Sequence, residues 1–495
     1  MPLYPYLLAL FYALGERNLL VACFLQLTLG SVNCLLVYRL GKCLKGTPLG
    51  LLAAFFLALS GVSIFYEAML VPTVAISFLL LSTLLVLLEA EGIVRWGLGG
   101  ILWGLTALTH AAILLWSPFV GAWGLWRRSQ AVSKKWLSLG SCFLALCSVL
   151  TLSGLRNYWV GREFVLLTAH GGVNFFIGNN PEATGQFKSH FSRYTSAEQL
   201  FQQSKKAAEK EAGHPLTDGE SSRFWFRKGL EFIRRDPEAF LKLLGRKWSL
   251  FWNAYEIPDV EDFYSFRQEF PVLKFAPFQS ALLCPLALLG ILLSLREPKR
   301  FFLVHGILFS MIGGLLLFFV NSRYRASLLP FLALFAAYGL LSLVDFVRRR
   351  RPRALLISLF VLFHLALWTR VEGFADDQGI GHYNAGIAYT QAGLFDRAIR
   401  ELQKALLTSR DEGMIYFALG NAYFGQGKYE KAAGFYQEAL SRHPDFSDAY
   451  FNLGVSYGKL NRFEEAKRAL LEALRLDPNG ADIRRQLKEL EEKRL

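Results

Sequence analysis

The chain has 495 residues, of which 53% are hydrophobic and only 19% charged, and its mean hydropathy is +0.29. That balance excludes an ordinary soluble domain and a disordered polymer, and it implies a multi-span membrane protein with room for further domains. The formal charge of +14 invites a nucleic-acid partner, yet Lys and Arg sit in short clusters between apolar runs, so membrane topology accounts for them and no nucleic acid is expected.

In chain order, Leu3–Leu14 is apolar but short, with Pro2 and Pro5 at its start, and reads as an interfacial or re-entrant helix. Leu19–Tyr38 is the first spanning run, followed by Arg39, Lys42 and Lys45. Leu49–Phe65 and Leu70–Leu88 are two more crossing runs, and between them stands Glu67, the only acid between Arg17 and Glu89. A turn whose carboxylate faces water is the plain reading of Glu67; a functional acid is the sharper one. Gly97–Trp126 is broken by Ser117-Pro118 into two short helices, and Trp136–Leu155 closes a first membrane block over 1–155. The six cysteines (Cys23, Cys34, Cys43, Cys142, Cys147 and Cys284) all lie in or beside apolar segments and offer neither a disulfide framework nor zinc spacing. The N-terminus has no basic region followed by a cleavage site, so no removable signal peptide is expected.

Residues 156–276 form a polar loop large enough for a small domain, expected to be α+β. The stretch Phe164–Thr168 reads as β-rich and leads into His170-Gly171-Gly172-Val173-Asn174 and Gly178-Asn179-Asn180-Pro181. That density of Gly and Asn predicts tight turns with positive φ and close backbone approach. Surface turns are the plain alternative to a substrate-contacting loop built on Gly171, Gly172, Asn174, Asn179 and Asn180. Thr217 and Glu220 have capping-box spacing, and Asp236-Pro237 marks another helix start. Lys242–Trp252 mixes bases with Trp248, Phe251 and Trp252, as in a helix lying against headgroups. Glu256, Asp259, Glu261 and Asp262 admit a divalent cation, but without His or a fixed spacing a solvated acidic loop is the expected reading, and no cofactor is assigned.

A second membrane block, 277–371, reads as Phe278–Leu295, Phe301–Val320, Ala326–Val347 and Ala354–Thr369. Between its second and third runs stand Asn321, Ser322, Arg323, Tyr324 and Arg325. Snorkelling anchors are the plain reading. Two arginines on a short outer loop break the topology rule, however, and guanidiniums there suit a phosphate held bidentately. Basic clusters at 39–45, 127–135, 296–300 and 348–353 mark the cytoplasmic side. Counting about ten segments then puts Glu67, the loop 156–276, the Arg323–Arg325 turn and the tail on the extracytoplasmic side. His110, His305 and His364 lie within apolar helices and read as hydrogen-bonded core residues rather than metal ligands.

The tail repeats every 34 residues, the tetratricopeptide (TPR) period, over 379–480. Gly386, Gly420 and Gly454 take the helix-crossing position, Tyr389, Tyr423 and Tyr457 follow three later, and Ala398, Ala432 and Ala466 open the second helices. Pro444 and Pro478 close units two and three where the first has Arg410, and Ala481–Leu495 reads as a capping helix. Such a solenoid binds partners, here a protein, rather than doing chemistry.

The membrane blocks resemble bacterial relatives of the protein O-mannosyltransferases and the lipid A aminoarabinose transferases, multi-span glycosyltransferases that use polyprenyl-phosphate sugars. The resemblance rests on Pro2-Leu3-Tyr4-Pro5, Phe65-Tyr66-Glu67 and Arg323-Tyr324 followed by Leu329-Pro330; the Gly171–Gly185 stretch is similar to the outer loop of a subset that also carries TPR repeats. It implies a bacterial inner-membrane protein that transfers a sugar with inversion to a protein or glycan acceptor, with Arg323, Tyr324 and Arg325 at the donor phosphate and the lipid tail between helices. In such enzymes a first-loop acid is the base and a second acid helps hold the site. Glu67 matches the second. The first usually precedes the Pro-Leu-Tyr-Pro stretch, which here begins at Met1, so the chain as written is expected to lack it and to have little or no transferase activity alone. A catalytically decayed membrane anchor presenting a TPR scaffold is the alternative expectation.

Overall fold

The computed structural model describes the chain except residues 1–2, 16–17, 127–131, 163–164, 169, 188–196, 259–262, 371–377, 409–411, 479 and 493–495. It divides into two compact units, one comprising Met1–Ile257 and Arg267–Val371, the other Pro258–Phe266 and Glu372–Leu495.

The chain opens with α1 (Leu3–Leu14), α2 (Leu19–Lys45), α3 (Thr47–Ala58), α4 (Gly61–Ala68), α5 (Thr73–Leu88) and α6 (Gly92–Thr109). A 3-10 turn over Ala111–Trp116 leads to α7 (Ser117–Trp126) and α8 (Val132–Gly161). The apolar run 49–65 is thus two helices rather than one. Ser60 breaks it, because its hydroxyl accepts the Ser63 N–H at 3.4 Å and starts α4 afresh. Glu67 consequently lies in the last turn of α4, not in the following turn, and α5 leaves α4 at 112°.

The polar segment folds as α9 (Gly171–Gly178), α10 (Ala197–Ala212), α11 (Asp218–Arg235), α12 (Pro237–Trp252), α13 (Phe263–Glu269) and α14 (Pro271–Phe275). The second apolar block is α15 (Ser280–Ser294), α16 (Pro298–Leu317), the short α17 (Ser322–Ala326), α18 (Leu329–Arg348) and α19 (Pro352–Trp368). Among the described residues there is no strand, and the one β contact is an isolated bridge between Ser60 and Phe278. The α+β expectation for the loop is therefore corrected to all-α. Of the stretch read as β-rich, Phe164 lies outside the described residues and the rest forms bends, with no strand alongside to pair its backbone. The Gly-Asn stretch is helical because Val173 and Ile177, one turn apart, share an apolar cluster with Trp225 and Phe319.

Among the described residues four helices are long and apolar enough to cross a membrane: Leu19–Lys45, Ser133–Gly161, Pro298–Leu317 and Leu329–Arg348; the bent pair α4–α5 makes a fifth if taken as one broken span. The remaining expected crossings fall on shorter apolar helices such as α3, α15 and α19. Helix α18 lies at the centre, with Leu329–Gly339 buried throughout, and packs on α15 and α3. A Cβ at Gly290 of α15 would stand 1.8 Å from the Phe335 carbonyl oxygen, so glycine is what lets these two backbones touch. Helix α5 is packed between α2 and α6, with most of its side chains buried.

In the second unit the repeat reading holds. The helix pairs are α20 (Gln378–Gln391) with α21 (Phe395–Thr408), α22 (Glu412–Gly425) with α23 (Tyr429–Arg442), and α24 (Ser447–Lys459) with α25 (Phe463–Leu476), followed by α26 (Ala481–Glu492). Ala398, Ala432 and Ala466 are fully buried. A Cβ at Gly386, Gly420 or Gly454 would lie 2.4–2.7 Å from Leu402, Tyr436 or Leu470, respectively, so each glycine sits where its two helices cross. Arg410 lies outside the described residues.

Candidate functional site

Helix α2 carries Gln26, Gly30 and Asn33 at helical spacing on one buried face, an unusual set inside an apolar helix. Gln26 caps the C-terminal end of α4: its amide nitrogen donates to the Glu67 carbonyl at 3.3 Å, to the Tyr66 carbonyl at 3.5 Å and to the Met69 carbonyl, while its oxygen accepts from the Tyr4 hydroxyl at 2.9 Å. Gly30 leaves room for the acid, since a Cβ there would stand 2.5 Å from Glu67 Oε2. The Ser63 hydroxyl donates to Glu67 Oε1 at 2.7 Å. Glu67 is half-buried and borders a cavity of about 10 Å³ with Asn33, Ser63, Thr73, Ser77 and Ala326. That volume is at the lower limit for one water. The Asn33 amide donates to the Val74 carbonyl at 3.2 Å, and its buried oxygen has no hydrogen-bond partner.

Helix α17 closes the other side of this cavity. Thr73 and Ser77 of α5 donate to the carbonyls of Arg323 at 3.4 Å and Ser327 at 3.0 Å. Asn321 caps α17 by accepting the Tyr324 N–H at 3.0 Å. Arg323 lies over the Tyr324 ring at 5.1 Å, and its Nη2 donates to the Tyr324 hydroxyl at 3.4 Å. The segment lines the cavity with Ala326 and Pro330, not with Arg323. Glu67 and the Arg323–Arg325 segment are therefore neighbours, with the Arg323 guanidinium turned to Tyr324.

Arg325 has a different surrounding from the one expected. It is 2% exposed and forms an ion pair with Glu256, 3% exposed, at 2.6 Å. Its guanidinium also donates to the carbonyls of Phe251 at 3.0 Å, Asn253 at 2.5 Å and Tyr255 at 3.3 Å, and Ser280 donates to the same carboxylate. These contacts tie α12, α15 and α17 together, and a phosphate at Arg325 would have to displace Glu256. Glu256 itself corrects the expectation of a solvated acidic loop; Asp259, Glu261 and Asp262 lie outside the described residues.

The Gly-Asn motif also has structural partners. Asn179 is fully buried, and its amide donates to the carbonyls of Phe175 at 2.8 Å and Leu317 at 2.7 Å. Lys247 of α12, also fully buried, donates to Asn179 Oδ1 and to the Leu316 carbonyl, each at 3.0 Å. Together they cap the last turn of α16, whose carbonyls have no helical partner. Burial pushes the Lys247 amine down to about 7. Asn180 donates to the Phe176 carbonyl at 2.9 Å and accepts from the Glu182 N–H at 2.8 Å. The Asn179 and Asn180 amides thus hold the loop together and present no free group to a substrate. Between residues 170 and 187, all described, positive φ enters at Gly185, at 87°, and not within the Gly-Asn motif itself. Gly172 and Gly178 instead serve close approach, because a Cβ would stand 1.7 Å from the Ser222 carbonyl oxygen or 2.0 Å from that of Phe318. Gly171 and Gly172 line an open cleft of about 800 Å³ against α11, whereas the half-buried Asn174 does not.

His305 bonds Ser294 at 2.8 Å and His364 bonds the Phe360 carbonyl at 2.9 Å. His110 is buried edge-on to Tyr324 at 5.7 Å, with no partner at Nδ1. Among the described residues no three His, Cys, Asp or Glu side chains gather to hold a metal ion. The sequence reading missed Gln26, Gly30, Asn33 and Lys247. The first three carried a signal, polar and small residues seven and four apart in an apolar helix; Lys247 carried none.

Residues 1–153 match the family model of dolichyl-phosphate-mannose-protein mannosyltransferases, a stretch that contains Glu67 and not α17. Residues 383–449 and 423–489 match two tetratricopeptide-repeat models. No curated protein matches the chain. Among solved structures it is similar to the first TPR domain of human RPAP3 (22% identity over 24% of this chain and 93% of that one, TM-score 0.23). It is also similar to the Sgt2 TPR domain of Aspergillus fumigatus (23% identity over 23% and 78%, TM-score 0.23) and to the Cut9–Hcn1 hetero-tetramer of APC/C (15% identity over 100% and 91%, TM-score 0.24). At these scores the repeats rest on their own helices and on the family models.

Proposed function

We propose, from the premise that a glycosyltransferase-like, multi-pass membrane protein here carries tetratricopeptide repeats, that the chain transfers a sugar from a polyprenyl-phosphate donor to a protein or glycan acceptor. The observation that carries this reading is the meeting of the Glu67 carboxylate and helix α17 around one cavity, stitched by Thr73 and Ser77. Transfer would proceed by attack of an acceptor hydroxyl on the anomeric carbon. The bond to the lipid phosphate breaks, a carboxylate takes the proton, and Arg323 balances the departing charge. Glu67 holds the supporting acid's place. Tyr324 keeps the Arg323 guanidinium in position, and Arg325 with Glu256 anchors the helix that presents both. The loop 156–276 and the repeats are each assigned to the extracytoplasmic side of a bacterial inner membrane from the basic clusters, and the repeats bind a protein partner.

The test uses the full chain reconstituted with a polyprenyl-phosphate-mannose and a Ser/Thr-containing peptide; measurable transfer refutes the expectation of little or no activity from this chain alone, and variants are then compared with that rate. Glu67→Gln and Arg323→Ala should each reduce turnover by about 10²-fold or more, as removal of a preorganised electrostatic contact does, with an unchanged unfolding midpoint. A fall in midpoint that accounts for the lost turnover would overturn their assigned roles. A second reading, a membrane-anchored TPR scaffold without transfer, is favoured by one observation: a cavity of about 10 Å³ holds no sugar until the helices part. Partner capture by the repeats with no transfer from any polyprenyl-phosphate sugar would select it.

A further inference from the structure

The cleft of about 800 Å³ at the start of α9 lies apart from the cavity at Glu67 and has its own chemistry. One wall is a stripe of α11: Glu220, Arg223, Phe224 and Arg227 recur at helical spacing, and His214 and Leu216 face them. A second cleft, of about 740 Å³, adjoins it through Leu216 and Glu220. The two share these residues and form one groove.

The charge in this groove is unbalanced. Arg223 and Arg227 are exposed one turn apart, a repulsive arrangement, and among the described residues neither forms a salt bridge. Two acids, Glu220 and Asp218, stand among these cations and offset only part of their charge. Glu220 closes the capping box of α11 by accepting the Thr217 N–H at 2.8 Å; that contact, and then the nearby Arg223, hold its carboxyl below the usual range, so it stays anionic beside Arg223, while Arg227 has no such neighbour among the acids that line the groove. Asp218 is ion-paired with Lys205 at 2.8 Å. Beside the guanidiniums stand the rings of Phe224, Phe318 and Phe226, the last 43% exposed. The regular elements among the described residues that wall the groove are helices, with backbone groups already bonded, and they offer no strand edge for pairing an extended peptide. Recognition must come from side chains: planar rings for the C–H faces of sugars, and two-pronged guanidiniums for carboxylates or phosphates.

We propose that this groove binds an acidic oligosaccharide, with Arg223 and Arg227 on its anionic groups and Phe226 under a sugar ring. This binding needs no donor and stands or falls apart from sugar transfer.

The experiment places the full chain in nanodiscs of neutral lipid and titrates a fluorescent galacturonate hexamer, with maltohexaose and a hexa-aspartate peptide as comparisons. The galacturonate hexamer should bind in a salt-sensitive way and the neutral hexamer should not. The double variant Arg223→Gln/Arg227→Gln should weaken binding by about tenfold or more, as loss of charged hydrogen bonds requires, and a Lys pair should fall between. Phe226→Ala should weaken it, and Phe226→Trp should preserve it. Arg350→Gln/Arg353→Gln, a basic pair outside the groove, should leave it unchanged. Equal binding by wild type and the Arg223/Arg227 variant would overturn the proposal. So would hexa-aspartate binding as tightly as the uronate, which would mean that the groove reads charge on a peptide.

Discussion

A single methyl group at residue 30 tests the candidate site more gently than removing its acid. Gly30→Ala puts a carbon 2.5 Å from Glu67 Oε2, well inside contact distance, so the carboxylate must shift from its place beside Ser63 while its charge is kept. If Glu67 works through its position, turnover should fall in Gly30→Ala nearly as far as in Glu67→Gln, and Gly30→Ala/Glu67→Gln should be little worse than either alone. A double variant with the product of the two losses would make them independent. The buried pair gives a second prediction. Glu256→Gln leaves the Arg325 guanidinium without its countercharge in an enclosed setting, a loss of about 3–5 kcal/mol. Arg325→Met/Glu256→Leu should lose less, and unfolding midpoints in detergent measure both. None of this pairing was legible in the sequence, where Arg325 looked like a companion to Arg323. Its partner lies 69 residues earlier (325 − 256) in a run of acids that resembled any solvated loop.

At the scale of elements, α9 shows what composition conveys and what it conceals. Glycine and asparagine signalled close approach, which Gly172 and Gly178 bear out, but not that the approach is made by a helix. The apolar spacing that decides it, Val173 to Ile177, spans only one turn. Gly172→Ala would press a carbon into the Ser222 backbone, which cannot rotate aside as a side chain can. A loss of about 1–3 kcal/mol is expected, with Gly171→Ala, whose Cβ would meet only Thr168 at 3.6 Å, close to neutral. Helix α12 supplies a pH test. The Lys247 amine sits at about 7, below the 10.5 it has when unfolded. The unfolded chain therefore binds more protons between about pH 7 and 10.5, and this group makes the fold more stable as pH rises through that window; below about 7 the full burial penalty is present. The difference in unfolding midpoint between wild type and Lys247→Met should accordingly shift in favour of wild type from pH 7 to 10. A difference that stays flat would mean that the amine remains charged throughout.

For the whole molecule, the legible parts were those written as periods. A 34-residue repeat fixes which glycine and which alanine must be small, and Gly420 and Ala432 are where it puts them. Apolar runs located the membrane helices, but hydropathy cannot see a serine such as Ser60 restarting a helix. The repeats have their own apolar core around Ala432, Tyr436 and Tyr457, so residues 378–495 expressed alone should be soluble, helical and cooperatively unfolding. An excised piece that fails to fold would contradict that autonomy. The sidedness assignment predicts that tags at Glu220 and at Gly427 are each reached by impermeant reagents from outside intact cells.

The cap on α16 has a consequence for how the protein is made. Asn179 and Lys247 leave the ribosome before Pro298–Leu317 does, so the groups that receive the end of that helix are synthesised before the helix. Carbonyls left bare at a membrane boundary cost several kcal/mol, and a later helix gains that much by docking onto those groups. Insertion of the second apolar block is then guided by a polar layer synthesised earlier. Lesions at Asn179 or Lys247 should therefore lower the yield of correctly inserted chains, over and above any change in stability of the chains that do insert.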